Sequence, residues 1–248
     1  MAGLDWLTAR PIAHRGLHDA SAGIIENTAS AFSAAIAGGY GIECDLQISA
    51  DGEAMVHHDD ALGRLTEGQG RLAAMSAAAI KAVSFKSSTD RIMTLGELCD
   101  FVAGRATLVI ELKSHFDGER RLAQRTADVL GHYAGPVAVM SFDPALIEAV
   151  RAIAPRLPRG MVAERHYSHA EWEPLPASEK RRMAYFGHAL RTRPHFIAYA
   201  VKDLPAAVPL IARHVFGLPL LTWTVRSDED RRRALRWADQ MIFEGWRP

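Results

Sequence analysis

Eight short β-rich runs, separated by helical or charged stretches, constrain this chain more than any other feature. The runs are Pro11–Arg15, Tyr40–Ile48, Thr107–Lys113, Val137–Phe142, Arg159–Glu164, Phe196–Val201, Leu220–Val225 and Met241–Glu244. Strands joined by helical crossovers run parallel, so the pattern predicts an α/β architecture. At 248 residues a closed (β/α)8 TIM barrel, a fold of about 250 residues, fits best. An open doubly wound sheet is the alternative. Asn27 is placed to cap a helix running to Ala37, with Phe32 and Ile36 one turn apart on a shared face. Asp143-Pro144 supplies a cap and an N1 proline for Ala145–Ile153, which Pro155 stops. Leu204–Phe216 and Ser227–Ala238 read as further helices. About sixty residues, Ser49 to Ala106, break the alternation, and Asp51-Gly52 there is a hairpin signal. Tyr167–Arg182, with Pro174 and Pro176, reads as a charged surface loop leading into a helix.

Composition excludes several classes of function. An apolar content of 48% suffices for a full core, and the formal net charge of zero provides no global field for nucleic acid or an anionic membrane. Any anion site must come from local charges. No segment approaches the ~18 consecutive apolar residues of a membrane span. Met1–Pro11 lacks the basic start and apolar run of a secretory signal. Cys44 and Cys99 alone make a disulfide framework unexpected. The expectation is a cytoplasmic protein acting on a small molecule, without a nucleic-acid partner or a transmembrane segment. The oligomeric state is left open.

In a barrel, chemistry sits at the C-terminal ends of the strands. There the sequence offers His14 and Arg15 on the first strand, Glu43 and Asp45 on the second, Glu111 and Lys113 on the third, Glu164 on the fifth and Glu244 near the end of the eighth. Glu43 and Asp45, two apart, share the inward face, while Ile42, Cys44 and Leu46 turn to the helices. Two inward carboxylates repel and are costly to bury alone. A divalent cation is their natural partner, with Glu111 as a third oxygen ligand. Oxygen-only ligation favours Mg²⁺, Ca²⁺ or Mn²⁺ over Zn²⁺. A salt-bridge layer with a buried arginine or lysine is the competing reading. Lys113 either reaches an anionic substrate or pairs with Glu111.

A two-residue Asp51-Gly52 turn would pair Gln47 with Val56 and Asp45 with His58, choosing His58 over His57 for the site. A one-residue bulge would reverse the choice. His14 then lies opposite His58 across a bound phosphodiester, one imidazole taking a proton and the other giving one. Arg15 offers a bidentate fork to phosphate. Gly16 permits a sharp turn and leaves room for substrate.

Together these blocks resemble the glycerophosphodiester phosphodiesterase family. Ala13-His14-Arg15-Gly16, then Glu26-Asn27-Thr28 and Phe32, is similar to its opening motif. Ile42-Glu43-Cys44-Asp45 with Asp51-Gly52 is similar to the second block, and His58-Asp59 through Leu62, Arg64 and Thr66 to the third. Glu111-Leu112-Lys113 is similar to the fourth, with weaker marks at Ser141-Phe142-Asp143 and Trp223-Thr224-Val225. The resemblance implies that His14 and His58 are the acid/base pair and that Glu43, Asp45 and Glu111 hold one divalent metal ion. It implies that Arg15 and Lys113 hold phosphate, that Trp223 lines the pocket, and that Asp60–Ser88 is a small insertion over the barrel mouth, within one domain spanning 1–248. The implied reaction splits a glycerophosphodiester into sn-glycerol 3-phosphate and an alcohol, a glycerol hydroxyl attacking phosphorus before water opens the cyclic phosphate. Two departures stand out. Arg226 replaces a frequent asparagine, and Phe243-Glu244-Gly245-Trp246 replaces a frequent Thr-Asp-x-Pro. A lysophospholipid or sugar phosphodiester substrate, and a catalytically silent phosphodiester-binding barrel, are the other readings.

Overall fold

A computed structural model describes residues 3–169 and 172–248. Ala170 and Glu171, inside the expected Tyr167–Arg182 loop, and Met1 and Ala2, within the Met1–Pro11 stretch, lie outside the described residues. The eight expected strands form as β1 (Ile12–Ala13), β2 (Gly41–Ile48), β6 (Leu108–Leu112), β7 (Val137–Ser141), β8 (Arg159–Ala163), β9 (Phe196–Ala200), β10 (Leu220–Val225) and β11 (Gln240–Phe243). Each is parallel to its neighbour, and β1 pairs with both β11 and β2, which closes the ring into a (β/α)8 barrel. The open sheet is thereby excluded.

The two-residue period of β2 and β6 sorts their side chains as expected. Ile42, Cys44, Leu46, Leu108, Ile110 and Leu112 pack among the helices. That outer layer includes α2 (Ala29–Ala37), α4 (Leu95–Val102), α5 (Arg121–Leu130) and α6 (Pro144–Ile153). Inside the barrel, Ile12, Val109, Ala138, Val162, Phe196 and Ile242 fill the lower part. A short α1 (Asp5–Thr8), absent from the sequence reading, adds fully buried Leu7 to this layer. Four residues with no side-chain cap bond are too few for periodicity to reveal.

Gly160 on β8 lies beside Phe196 on β9, and a Cβ there would collide with the Phe196 ring. Gly160→Ala is therefore expected to destabilise by about 2 kcal/mol through overpacking. A thermal melt should show a midpoint lower by roughly 5 °C.

Most helix signals hold. Asp143 caps α6 with Pro144 in its first turn, and Ser227 caps α10 (Asp228–Trp237). The Leu204–Phe216 prediction narrows to α9, Ala207–His214. Two readings need correction. The cap of α2 is Thr28, not Asn27, because Asn27 is held left-handed (φ 57°) and spends its side chain on Asp45. The hairpin register is also one residue off. Ser49 N–H donates to Glu53 O across a three-residue loop, with Gly52 left-handed at φ 85°. Leu46 therefore opposes Val56 on β3 (Ala54–Val56), and Gln47 opposes Met55.

Between β3 and α4 lies a small substructure. It contains the antiparallel pair β4 (Ala61–Leu62) and β5 (Gly70–Arg71), and α3 (Ala77–Ala82). Leu62, Leu72, Ile80 and Phe85 form its own apolar cluster with Met55 and Ile25. After β8, the expected surface loop is less polar than its sequence suggests, since Tyr167 and Trp172 are buried ahead of α7 (Ala177–Ala184). No helix among the described residues is long and apolar enough to cross a membrane.

Candidate active site

A cavity of about 810 Å³ opens at the C-terminal ends of the strands. His14, Arg15, Glu43, His58, Glu111, Lys113 and Trp223 all line it, and Asp45 is buried immediately behind. One oxygen from each of Glu43, Asp45 and Glu111 lies within 4.8 Å of the others.

Strand pairing produces this convergence. Asp45 and Glu111 are direct neighbours across β2 and β6, and Glu43 sits two residues before Asp45 on the same face. Lys113 Nζ lies 3.0 Å from Asp45 Oδ1 and 2.9 Å from Glu111 Oε1. Arg15 donates through Nη1 to Glu26 at 2.8 Å, and its Nε is 3.4 Å from Asp45 Oδ2. The two cations expected to meet phosphate are thus held by the carboxylates around them. Arg15 itself is left-handed at φ 56°, an uncommon conformation for a side-chain-bearing residue. Hydrogen bonds fix it: its N–H reaches Glu43 Oε2 at 3.0 Å and its carbonyl accepts from Asn27 N–H at 2.9 Å.

The carboxylates are not equivalent. Burial raises Asp45, but Lys113, His58, Arg15 and His14 outweigh it and hold the carboxyl well below its ordinary range. Asn27 Nδ2 also donates to Asp45 Oδ2 at 2.9 Å. Burial pushes Glu43 well above the ordinary range, reinforced by Asp45 and Glu111. Its Oε1 is buried with no hydrogen-bond partner. A buried carboxylate oxygen left open beside two other acids suits a hard divalent cation, so this oxygen-only set fits Mg²⁺, Ca²⁺ or Mn²⁺.

Both imidazoles have a carboxylate at Nδ1. His14 Nδ1 donates to Glu244 at 2.6 Å, and His58 Nδ1 donates to Asp59 at 2.8 Å. Each pairing fixes the Nδ1–H tautomer and leaves Nε2 as the exchangeable nitrogen. Burial lowers His14 to about 4, against the opposing pull of Glu244. Asp59 is tied through Arg64 to Glu26, which also holds Arg15. The slipped register places His57, not His58, opposite Asp45, and His57 N–H donates to Asp45 O at 3.0 Å. The pleat argument for His58 therefore fails. His58 nonetheless lines the cavity because the chain leaves the ladder after Val56. His57 is buried, with Nδ1 on Asp59 O at 2.9 Å.

The far wall is apolar. Phe116, Phe142, Trp172, Leu175 and Trp223 line the cavity there. Phe142 meets Trp172 at 4.8 Å and Trp223 at 5.4 Å between ring centroids. The flanking Ser141 and Asp143 set the backbone beneath Phe142: Ser141 Oγ donates to Leu112 O, and Asp143 accepts from Ser114. Sequence reading found Trp223 but not the supporting cast of Asn27, Asp59, Arg64 and Trp172. The first three lie within the family-like blocks, where Asn27 was expected only as a helix cap and Asp59 and Arg64 had no expected role. Trp172 carried no signal, since a lone tryptophan in a charged stretch has no period.

A model of the glycerophosphoryl diester phosphodiesterase family matches residues 14–243. A glycerophosphodiester phosphodiesterase of Caldanaerobacter subterraneus subsp. tengcongensis is 29% identical over 235 residues, covering 91% of this chain and 89% of the relative. One from Bacillus subtilis is 26% identical, covering 83% and 73%. Among solved structures, an Oleispira antarctica phosphodiesterase in complex with the product sn-glycerol-3-phosphate superposes with a TM-score of 0.75 at 20% identity, over 96% of this chain and 94% of that one. A putative glycerophosphoryl diester phosphodiesterase from Silicibacter pomeroyi gives 0.75 at 25% identity, over 94% and 89%.

Proposed function

Because the chain belongs to the glycerophosphoryl diester phosphodiesterase family, we propose that it hydrolyses glycerophosphodiesters to sn-glycerol 3-phosphate and an alcohol, with one divalent cation held by Glu43, Asp45 and Glu111. The observation that carries this reading is the convergence of those three carboxylates in one cavity with two carboxylate-backed imidazoles. When bound, the cation neutralises phosphoryl charge and lowers the pKa of an attacking hydroxyl.

The chain's own residues supply the rest. Arg15 and Lys113 attract and orient the phosphate by charge-assisted hydrogen bonds. One imidazole accepts the proton of a glycerol hydroxyl as its oxygen attacks phosphorus, and the other donates a proton to the departing alcohol oxygen. Opening the cyclic phosphate reverses the pair: the second imidazole takes a proton from water, and the first returns one to the glycerol oxygen. Trp223 lines the space beside the substrate's carbon skeleton.

The aromatic wall favours a substrate whose glycerol carries an apolar chain, such as the acyl-glycerol side of a lysophospholipid, over a sugar phosphodiester. Phe142→Ala is expected to raise KM about tenfold for such a substrate, a loss of roughly 1.4 kcal/mol of apolar contact. An unacylated glycerophosphodiester should change by no more than about twofold. Equal shifts for both would remove the apolar reading.

The test of the whole proposal is a panel of glycerophosphodiesters and lysophospholipids, each assayed with Mg²⁺, Ca²⁺ and Mn²⁺ for release of the glycerol phosphomonoester, sn-glycerol 3-phosphate or, from a lysophospholipid, its acylated form. Binding without release across the panel would instead support a catalytically silent phosphodiester-binding barrel.

A further inference from the structure

We infer that Glu244, held in place by Arg226, is the positioning residue for His14. Glu244 Oε2 accepts from His14 Nδ1 at 2.6 Å and from Arg226 Nη2 at 2.9 Å, so one oxygen joins all three groups. The arrangement is built at the junction of two strands. Glu244 follows β11, Arg226 follows β10, and Glu244 N–H donates to Val225 O at 3.0 Å, which fixes both backbones against each other. His14 follows β1 on the other side of β11, and its own N–H donates to Phe243 O at 2.9 Å. Three successive barrel strands thus present an arginine, a carboxylate and an imidazole in line.

The consequence for His14 is directional. Its Nδ1 proton is committed to Glu244, so the remaining lone pair is on Nε2, on the side of Glu43, 3.9 Å from Glu43 Oε2. A carboxylate at this position does for an imidazole what the third member of a catalytic triad does: it selects the tautomer and orients the ring. Arg226 contributes by limiting the rotamers of Glu244. Its own side chain is 55% exposed, so the pair adds little to fold stability. Arg226 and Glu244 both lie in the segments that depart from the common family pattern, and they are direct partners. His58 has its separate carboxylate in Asp59, so the two imidazoles are oriented by independent devices.

This inference rests on His14 acting as an acid/base group, and the experiment separates the two claims. Steady-state hydrolysis of glycerophosphocholine with Mg²⁺ is compared for wild type, H14A, E244Q, E244D, R226A and E244Q/R226A. ¹⁵N NMR reads the tautomer of His14. Expected for E244Q is a fall in kcat of at least about tenfold, with KM within about twofold. E244D is expected to recover part of that loss, because it retains the carboxylate. R226A should lose about threefold, and the double variant should be no slower than E244Q alone, since Arg226 acts only through Glu244. The Nδ1–H signature of His14 should be present in wild type and lost or mixed in E244Q. An E244Q enzyme with wild-type kcat and tautomer, or an additive double variant, overturns the inference. An active H14A overturns the catalytic reading beneath it.

Discussion

His14→Ala and His58→Ala are each expected to cut turnover by roughly 100- to 10,000-fold, the contribution typical of a positioned acid or base. Each imidazole lines the cavity and each is backed by one carboxylate, so neither can take over the other's proton. Because the proposed mechanism uses both in one proton-transfer sequence, the double variant should be little worse than the poorer single variant. Stability should hardly change, since neither ring belongs to an apolar cluster. His57→Ala is the contrasting control. It deletes a buried ring bonded to Asp59 O, so it should lose about 1–3 kcal/mol of stability and keep turnover within about threefold. Steady-state rates and thermal melts of the three variants check this. A near-normal rate for H14A or H58A refutes the assigned roles. A loss in H57A as deep as that in H58A would move the role to the neighbouring ring.

Chelation with EDTA is expected to abolish hydrolysis, with Mg²⁺, Ca²⁺ or Mn²⁺ restoring it, and Asp45→Asn should lower turnover roughly 1,000-fold or more. Three carboxylates converge on one point, and Lys113 and Arg15 offset them directly. Burial and its acidic neighbours push the Glu43 carboxyl up. A cation that binds the folded chain must also stabilise it, so the melting midpoint should rise with added metal and the rise should vanish in D45N. The competing salt-bridge layer makes the opposite statement: D45N would destabilise by removing one of the two carboxylates that hold Lys113, and metal would shift no midpoint. Full activity in a sample shown to be metal-free would end the metal assignment.

Much of this architecture is legible in the chain itself. The alternation of eight β-rich runs with helices marks the parallel barrel, and the spacing of Glu43 with Asp45 marks an inward acidic pair. Both depend only on the two-residue period of a strand, which tertiary contacts seldom override. The hairpin register was less accessible. Asp51-Gly52 announces a turn, but whether the loop holds two or three residues is decided by Ser49, whose N–H pairs with Glu53. Asn27 misled for a similar reason, since a good capping residue was diverted by a buried carboxylate eighteen positions away. Glu244 and Trp172 become meaningful only after the barrel closes, when distant segments come to face His14 and Phe142.

The closed ring also sorts duties along the chain. The acids, Arg15, Lys113 and both imidazoles belong to the first 113 residues, whereas Phe142, Trp172 and Trp223 come later. On the proposed reading, substitutions in the later stretch would change which substrate the cavity admits and leave the groups assigned to the chemistry untouched. Among the described residues Glu244 crosses that divide, fastening the chain's last strand to its opening one. Beyond the aromatic wall, the end of the chain is thus laced to its beginning twice, by strand pairing and by this carboxylate.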